Sequence, residues 1–482
     1  MTSKSHLHSS WIIAWLSVAF LAGVALSYWW PIFYSLFWLV IGIGLATITF
    51  IGRSRRLIIL TVLAGILIGL FRGSVSQVDQ NSYDLLKEQE VVMVGTVVED
   101  VGLSAHGNQE LKLKEIKVND REYPGVVWVN ADFNQGIKRS DIVRLKGKVS
   151  QGFGSFSATV FHAEVQDVKR ISRVDIARDV RDSFGENVRK AVSEPSASLG
   201  LGFLVGQRST LPDDLVEKLR ILGLTHIVVA SGYNLTILVR FARRIFQDVS
   251  KYLSLIVGLG LTSCFILVTG FSPSMTRAGM ITVLCLLAWY FGRAIHPFVL
   301  LAFSAAVTVL VNPSYLWGDL GWYLSFAAFG GVIILSPLII SYFWGQSRPN
   351  DILQILVETS SALLMTMPII AYSFGQFAPL ALLSNLLILP VIPIAMIATF
   401  GAGLGGIIFS SGLMAQLLAI PSELILGYMI WIGSKLASLP FAMVEVSFGL
   451  TGLILAYVSI FVLALFLKRQ TKHDFLEDNI II

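Results

Sequence analysis

Long apolar blocks fill both ends of this chain, and one stretch between them alternates instead. Blocks near 11–28, 31–51 and 57–71 each approach the ~20 residues needed to span a hydrocarbon core. Residues 73–172 differ: VVMVGTVVED, NQELKLKEIKVN, YPGVVWVNA, DIVRLKGKVSQ and GSFSATVFHAEVQDVKRI mix charged and apolar positions, with Gly, Asn, Pro and Asp between the runs. A period of two predicts strands, and five runs of this size predict a small barrel of the OB type. A period of three to four returns in SRVDIARDVRDSFGENVRKAVSEP, where Ile176, Val180, Phe184, Val188 and Ala191 share a face. That predicts an amphipathic helix, apt to lie on the membrane surface or on the β-domain. LPDDLVEKLRILG predicts a shorter helix with acids at its start. From Gly223 to Leu467 the chain is mostly apolar again and accommodates about nine spans.

The predicted fold class is therefore a polytopic α-helical membrane protein of about twelve spans with an inserted small β-barrel domain, OB-like. Residues 1–72 form about three transmembrane helices and 73–172 the β-domain. Linking helices follow over 173–222, a second transmembrane domain over 223–468 and a short tail over 469–482.

Composition agrees with this. Hydrophobic residues make up 55% of the chain and charged residues 14%, against about 25% charged in soluble domains; mean hydropathy is +0.72. The net charge of +5 adds little, because Lys and Arg collect on cytoplasmic loops. The basic groups at Arg53-Ser54-Arg55-Arg56, Arg240 to Arg244, Arg293, Arg348 and Lys468-Arg469 put both termini in the cytoplasm and the β-domain outside. No small-residue cleavage site stands before Tyr28-Trp29-Trp30, so the first helix is expected to be retained.

Candidate chemistry is sparse. Cys264 and Cys285 lie in apolar runs and read as core residues. No Cys/His ligand cluster exists, and no metal or cofactor is expected. VGQRST lacks the spacing and the lysine of a phosphate loop. In the β-domain, Trp128, Phe133, Phe153, Phe156 and Phe161 are candidates for a base-stacking platform. Their plainer reading is barrel core, and acids balance bases, so no basic stripe favours nucleic acid.

The informative positions are polar residues and helix breakers inside apolar runs. THIVVASGYNLTI carries His226, Ser231, Gly232 and Asn234. TGFSPSMTRAGM carries Pro273 and Arg277, WGDLGWYLSFAAFGG carries Asp319 and Ser325, and LLSNLLILPVIPIAM carries Asn385, Pro390 and Pro393. Interrupted backbone at membrane depth is tolerated only inside protein or beside water, and charge there is costly. Singly, each has a plainer reading: a kink at Pro273 or Pro390, a snorkelling Arg277, an Asn385 bonded to a neighbouring helix, an interfacial His226. Four interrupted spans together fit helices lining a polar path.

GLTHIVVASGYNLTIL resembles the signature of the ComEC competence proteins. SPSMTRAGMITVLCLLAWYFGR, NPSYLWGDLGWYLSFAAFGGVIIL and MPIIAYSFGQFAPLALLSNLLILPVIPI are similar to later blocks of that family, in order. The resemblance covers essentially the whole chain. It implies an inner-membrane channel that imports single-stranded DNA during natural transformation. Arg208 and Arg277 would then contact phosphates, with His226, Ser231, Gly232, Asn234, Asp319, Ser325 and Asn385 along the path. Trp128, Phe133, Phe153 and Phe156 would meet DNA on the β-domain. Implied partners are single-stranded DNA, membrane lipid, a DNA receptor, a cytoplasmic translocase and a separate nuclease.

Three departures stand out. Many family members end in a β-lactamase-like nuclease domain, whereas only a short tail follows Lys468-Arg469 here and no H-x-H-x-D-H cluster occurs; no enzyme activity is expected. Asn234 stands where many relatives carry histidine, and it can hydrogen-bond but not gain charge. Gln207 stands where an acid is common. The alternatives are a small-solute transporter, disfavoured by the outer β-domain and the unequal layout of spans, and a non-conducting envelope scaffold.

Overall fold

The computed structural model describes residues 8–103, 108–132, 136–170, 175–207, 211–228, 231–345, 349–409, 412–473 and 475. Arg208 and Phe133 therefore lie outside the described residues. In chain order the helices are α1 (Ser9–Ser27), α2 (Leu36–Gly52), α3 (Ile58–Asn81), α4 (Ile176–Ala191), α5 (Ser196–Val205), α6 (Asp213–Ile221), α7 (Thr225–Val228), α8 (Gly232–Phe246), α9 (Lys251–Thr269) and α10 (Pro273–Tyr290). Then follow α11 (Pro297–Val311), α12 (Ser314–Gly318), α13 (Leu320–Gly330), α14 (Ser336–Trp344), α15 (Asp351–Phe374), α16 (Ala381–Ile388), α17 (Ile392–Phe409), α18 (Leu413–Ala437) and α19 (Leu450–Thr471). Between α3 and α4 run β1 (Glu90–Val97), β2 (Gly102–Leu103), β3 (Gln109–Val118), β4 (Arg121–Tyr123), β5 (Val127–Ala131), β6 (Ile142–Gln151) and β7 (Ala158–Lys169).

Among the described residues, eight helical stretches are long and apolar enough to cross a membrane, so the chain is a multi-pass membrane protein. About twelve spans are expected from hydropathy. The difference lies partly in apolar helices too short to be counted, namely α2, α5 and α11. Three of the eight crossings are not single helices: Ile58–Leu86 runs on from α3 through a turn into a 3-10 turn at Asp84–Leu86. Leu320–Trp344 contains a π-helical turn at Gly331–Leu335, and Ala381–Phe409 contains a 3-10 turn at Leu389–Val391.

Two compact units divide the chain: residues 1–174 with 295–326, and residues 175–294 with 327–482. In the first, α1 and α3 run parallel at backbone contact. Gly65, Gly69 and Gly73 repeat every four residues along α3. A Cβ on Gly65 would stand 2.6 Å from the Leu16 carbonyl oxygen, and one on Gly69 would collide with that of Phe20. Small residues at this spacing let membrane helices approach closely. The far end of α11 is closed by Arg72 of α3, whose Nε and Nη2 each donate at 2.8 Å, to the carbonyls of Leu310 and Val311. An arginine inside an apolar helix thus supplies donors to terminal carbonyls that have no intrahelical partner.

The β-domain is a closed five-stranded barrel. β1 pairs with β3 and β6, β3 with β5, β5 with β7 and β7 with β6; only the β5–β7 pair is parallel. Alternation sets its core: Val127, Val129 and Ala131 point in from β5, and Val143, Leu145 and Val149 from β6. Outside the core, Asp141, fully buried, takes a two-pronged ion pair from Arg170 at 3.0 and 2.7 Å.

In the second unit, α4 is not a free surface helix. Its Val188 joins Val192, Ala197, Leu201, Val205, Ala402 and Ala419 in one cluster. α4 seats on α17 through two glycines: a Cβ on Gly406 would stand 2.5 Å from the Asn187 carbonyl oxygen, and one on Gly403 would strike the Phe184 ring. Its charged side is tied by hydrogen bonds of 3.2 Å from Gln207 to Asp182 and 3.0 Å from Arg189 to Gln207. Gln207 serves as donor and acceptor at once, which an ionised carboxylate could not do.

The close α1–α3 packing sets an expectation. Gly69→Ala should lower the apparent Tm of the detergent-solubilised protein, a cost of about 1–3 kcal/mol for overpacking. Gly44→Ala, where a Cβ meets nothing within 4 Å, should leave it unchanged.

Candidate functional site

The second unit gathers its interruptions. After α7, α8 restarts at Gly232 with Ser231 extended before it. A side chain at Gly232 would press on α10, because its Cβ would lie 2.9 Å from that of Ala278. Glycine therefore brings the break against the residue next to Arg277. Arg277 is 3% exposed, deep among the helices that share the core of Leu235, Val239, Leu255, Phe265, Met275 and Leu286.

The second break, between α16 and α17, follows from Pro390, which cannot donate a backbone hydrogen bond. The two breaks are joined: the Tyr233 hydroxyl donates to the Leu389 carbonyl at 3.4 Å. Asn234, fully buried, donates from Nδ2 to the Phe203 carbonyl at 3.0 Å, and its Oδ1 lies 3.4 Å from the Ser231 hydroxyl. Ser384 donates to the Leu222 carbonyl at 3.1 Å. Phe203 lies in the last turn of α5 and Leu222 directly follows α6, so these side chains satisfy carbonyls that helix ends leave open.

Asn385 is different. It is fully buried, and neither Oδ1 nor Nδ2 has a hydrogen-bond partner among the described residues. An unsatisfied buried amide costs about 1–3 kcal/mol per group. A second polar seam lies nearby in the fold: the hydroxyls of Thr399 on α17 and Ser422 on α18 are 3.3 Å apart, both fully buried. Gly200 of α5 faces this seam, since its Cβ would stand 2.6 Å from the Thr399 hydroxyl. These hydroxyls were not singled out by sequence, because Ser and Thr are common in membrane helices and carry no motif of their own.

The structure thus brings Ser231, Gly232, Asn234, Arg277 and Asn385 into one unit around two joined breaks. His226 ends up exposed on the short helix α7. Asp319 and Ser325 belong to the other unit. There Asp319 caps α13, its Oδ1 accepting the Trp322 N–H at 2.7 Å, and Ser325 is half-buried. Beyond the spans, the Glu217 carboxyl is held below its usual value by the hydrogen bonds that Arg220 donates. Among the described residues, no group of three or more His, Cys, Asp or Glu could hold a metal.

The barrel carries a second candidate surface. Trp128 is half-buried and Phe153 and Phe161 are exposed. With Phe156 they form one cluster: ring centroids are 5.7 Å apart for Trp128–Phe153, 5.4 Å for Trp128–Phe161 and 5.3 Å for Phe153–Phe156. None belongs to the barrel core, so the plainer reading of these rings as core does not hold. Lys112 stands 5.8 Å above the Phe156 ring and pairs with Glu99 at 2.8 Å. Lys146 and Lys148 likewise pair with Glu90 and Glu88. The tip of the β6–β7 turn touches the α12–α13 turn, where a Cβ on Gly154 would lie 3.4 Å from the Gly318 carbonyl oxygen.

Both breaks fall inside the segment that matches a known protein family. The family model described as "Competence protein" matches residues 203–470. ComE operon protein 3 of Bacillus subtilis (strain 168) is 26% identical over 200 residues, an alignment spanning 41% of this chain and 25% of that protein. The match thus extends over a quarter of the relative's length. No solved structure matches. With more than half of its residues inside the family model, the chain belongs to the Competence protein family.

Proposed function

We propose that the chain is an inner-membrane channel for import of single-stranded DNA during natural transformation. One observation carries the reading: within the matched segment, two interrupted helices meet through Tyr233 and surround themselves with neutral hydrogen-bonding groups and one buried arginine. A strand with one charge per nucleotide needs a path with donors for phosphate and no deep electrostatic trap. Ser231, Asn234, Asn385 and Arg277 are chemically suited to that. His226, Asp319, Ser325 and Arg208 remain assigned to the path by resemblance. In the conformation described, side chains close on backbone carbonyls, so conduction requires that these bonds exchange for bonds to the strand. Asn385, without partners among the described residues, has least to give up.

The barrel's ring order, with its third and fifth main strands parallel, supports an OB-like domain. Its aromatic cluster, Trp128, Phe153, Phe156 and Phe161, suits stacking of successive bases. On this reading the β-domain lies outside and both termini inside, supported by the distribution of basic residues along the chain. A DNA receptor and a cytoplasmic translocase complete the pathway, and the driving energy comes from such partners.

Two outcomes are expected. Deleting the gene should abolish transformation, and restoring it as Arg277→Ala, with normal membrane levels, should leave uptake at least about tenfold lower, equivalent to ~1.4 kcal/mol. Unchanged transformation on deletion would remove the channel reading and favour a solute transporter or scaffold. In nanodiscs, Trp128→Ala and Phe153→Ala should each weaken binding of a labelled single-stranded oligonucleotide by about 1–3 kcal/mol per lost stack, with Phe37→Ala, exposed on α2, as a control without effect.

A further inference from the structure

A groove runs along α1 and α11 in the first unit, independent of the path described above. Its volume is about 450 Å³, within the ~300–1,000 Å³ typical of small-molecule sites. Trp11, Trp15 and Val18 of α1 face Phe298, Leu301 and Ala302 of α11 across it. The lining carries no charged residue, as expected of a site filled from the hydrocarbon.

Its mouth has a different character. α1 and α11 begin side by side there, with the Trp11 and His296 rings 5.0 Å apart. Each helix is capped by a histidine. His8 Nδ1 accepts the Ser10 N–H and His296 Nδ1 accepts the Phe298 N–H, both at 3.3 Å. A ring that accepts at Nδ1 carries its proton on Nε2 and can donate from there. Two helix N-termini add partial positive charge. The parallel register of α1 and α3 puts Arg53 and Arg56, both exposed, at this same end. No Asp or Glu occurs in the chain before Asp79, so no acid of the N-terminal segment opposes an anion here.

We infer that the groove holds one phospholipid, with an acyl chain between α1 and α11 and an anionic headgroup at the histidine-capped ends. Charge complementarity selects the occupant. A second copy of the chain would bring the same positive mouth against itself, whereas an anionic headgroup neutralises it. Basic sites at the cytoplasmic ends of membrane helices commonly bind such headgroups.

The test is native mass spectrometry of the full chain, purified in mild detergent and incubated with phosphatidylglycerol or phosphatidylcholine. The wild type should retain one phosphatidylglycerol and retain it in preference to phosphatidylcholine. Ala302→Trp, which fills the groove from α11, should lower that retention at least about tenfold, the effect of ~1.4 kcal/mol. Val18→Trp fills it from α1 and carries the test if the first variant fails to fold. Equal retention by wild type and a folded variant would overturn the proposal. So would a wild-type dimer that either substitution dissociates, which would assign the groove to a second copy, and so would equal retention of the two lipids.

Discussion

A carbonyl at the end of a helix has no water to turn to inside hydrocarbon, and this single constraint organises most of the polar chemistry seen here. Arg72 closes α11, Asn234 closes α5 and Ser384 closes α6. Each of these side chains is costly to hold at depth, and each offsets a cost that an open helix end would impose. Asn385 stands outside this scheme with both amide atoms unmatched among the described residues, which is why it attracts a functional reading more strongly than its bonded neighbours.

Close approach is the second theme. Where helices meet at backbone distance the chain places glycine: Gly65 and Gly69 against α1, Gly403 and Gly406 against α4, Gly232 against α10. In lipid there is little hydrophobic force between helices, so van der Waals contact through small residues carries more of the association. The glycine at position 232 opens α8 and lets that helix press on Ala278.

The barrel shows how burial separates structure from surface. Its core is built mainly of Val, Leu and Ile, with Met93, Tyr83 and Tyr123, and does not include Trp128, Phe153, Phe156 or Phe161. These rings cluster outside and pack on one another at 5.3–5.7 Å. Exposed aromatic clusters of this kind are rare on a surface unless they meet something.

By itself the sequence determined the membrane character, the inserted β-domain and the breaks at Ser231-Gly232 and Pro390, but not the π-helical turn at Gly331–Leu335. What it determined follows from local signals: runs of apolar residues, a period of two in residues such as Val127, Trp128 and Val129, and Pro390 with no N–H to donate. Only the tertiary structure decided which breaks meet, that α4 lies against α17 rather than on a surface, and that the aromatics stand outside the barrel. It also decided that Asp319 is a helix cap and that Arg72 is bonded to a distant helix end. Those outcomes depend on residues far apart in the chain, such as Tyr233 and Leu389 or Arg72 and Leu310. No pattern along the chain encodes which open carbonyl a buried donor will reach; packing brings the two together.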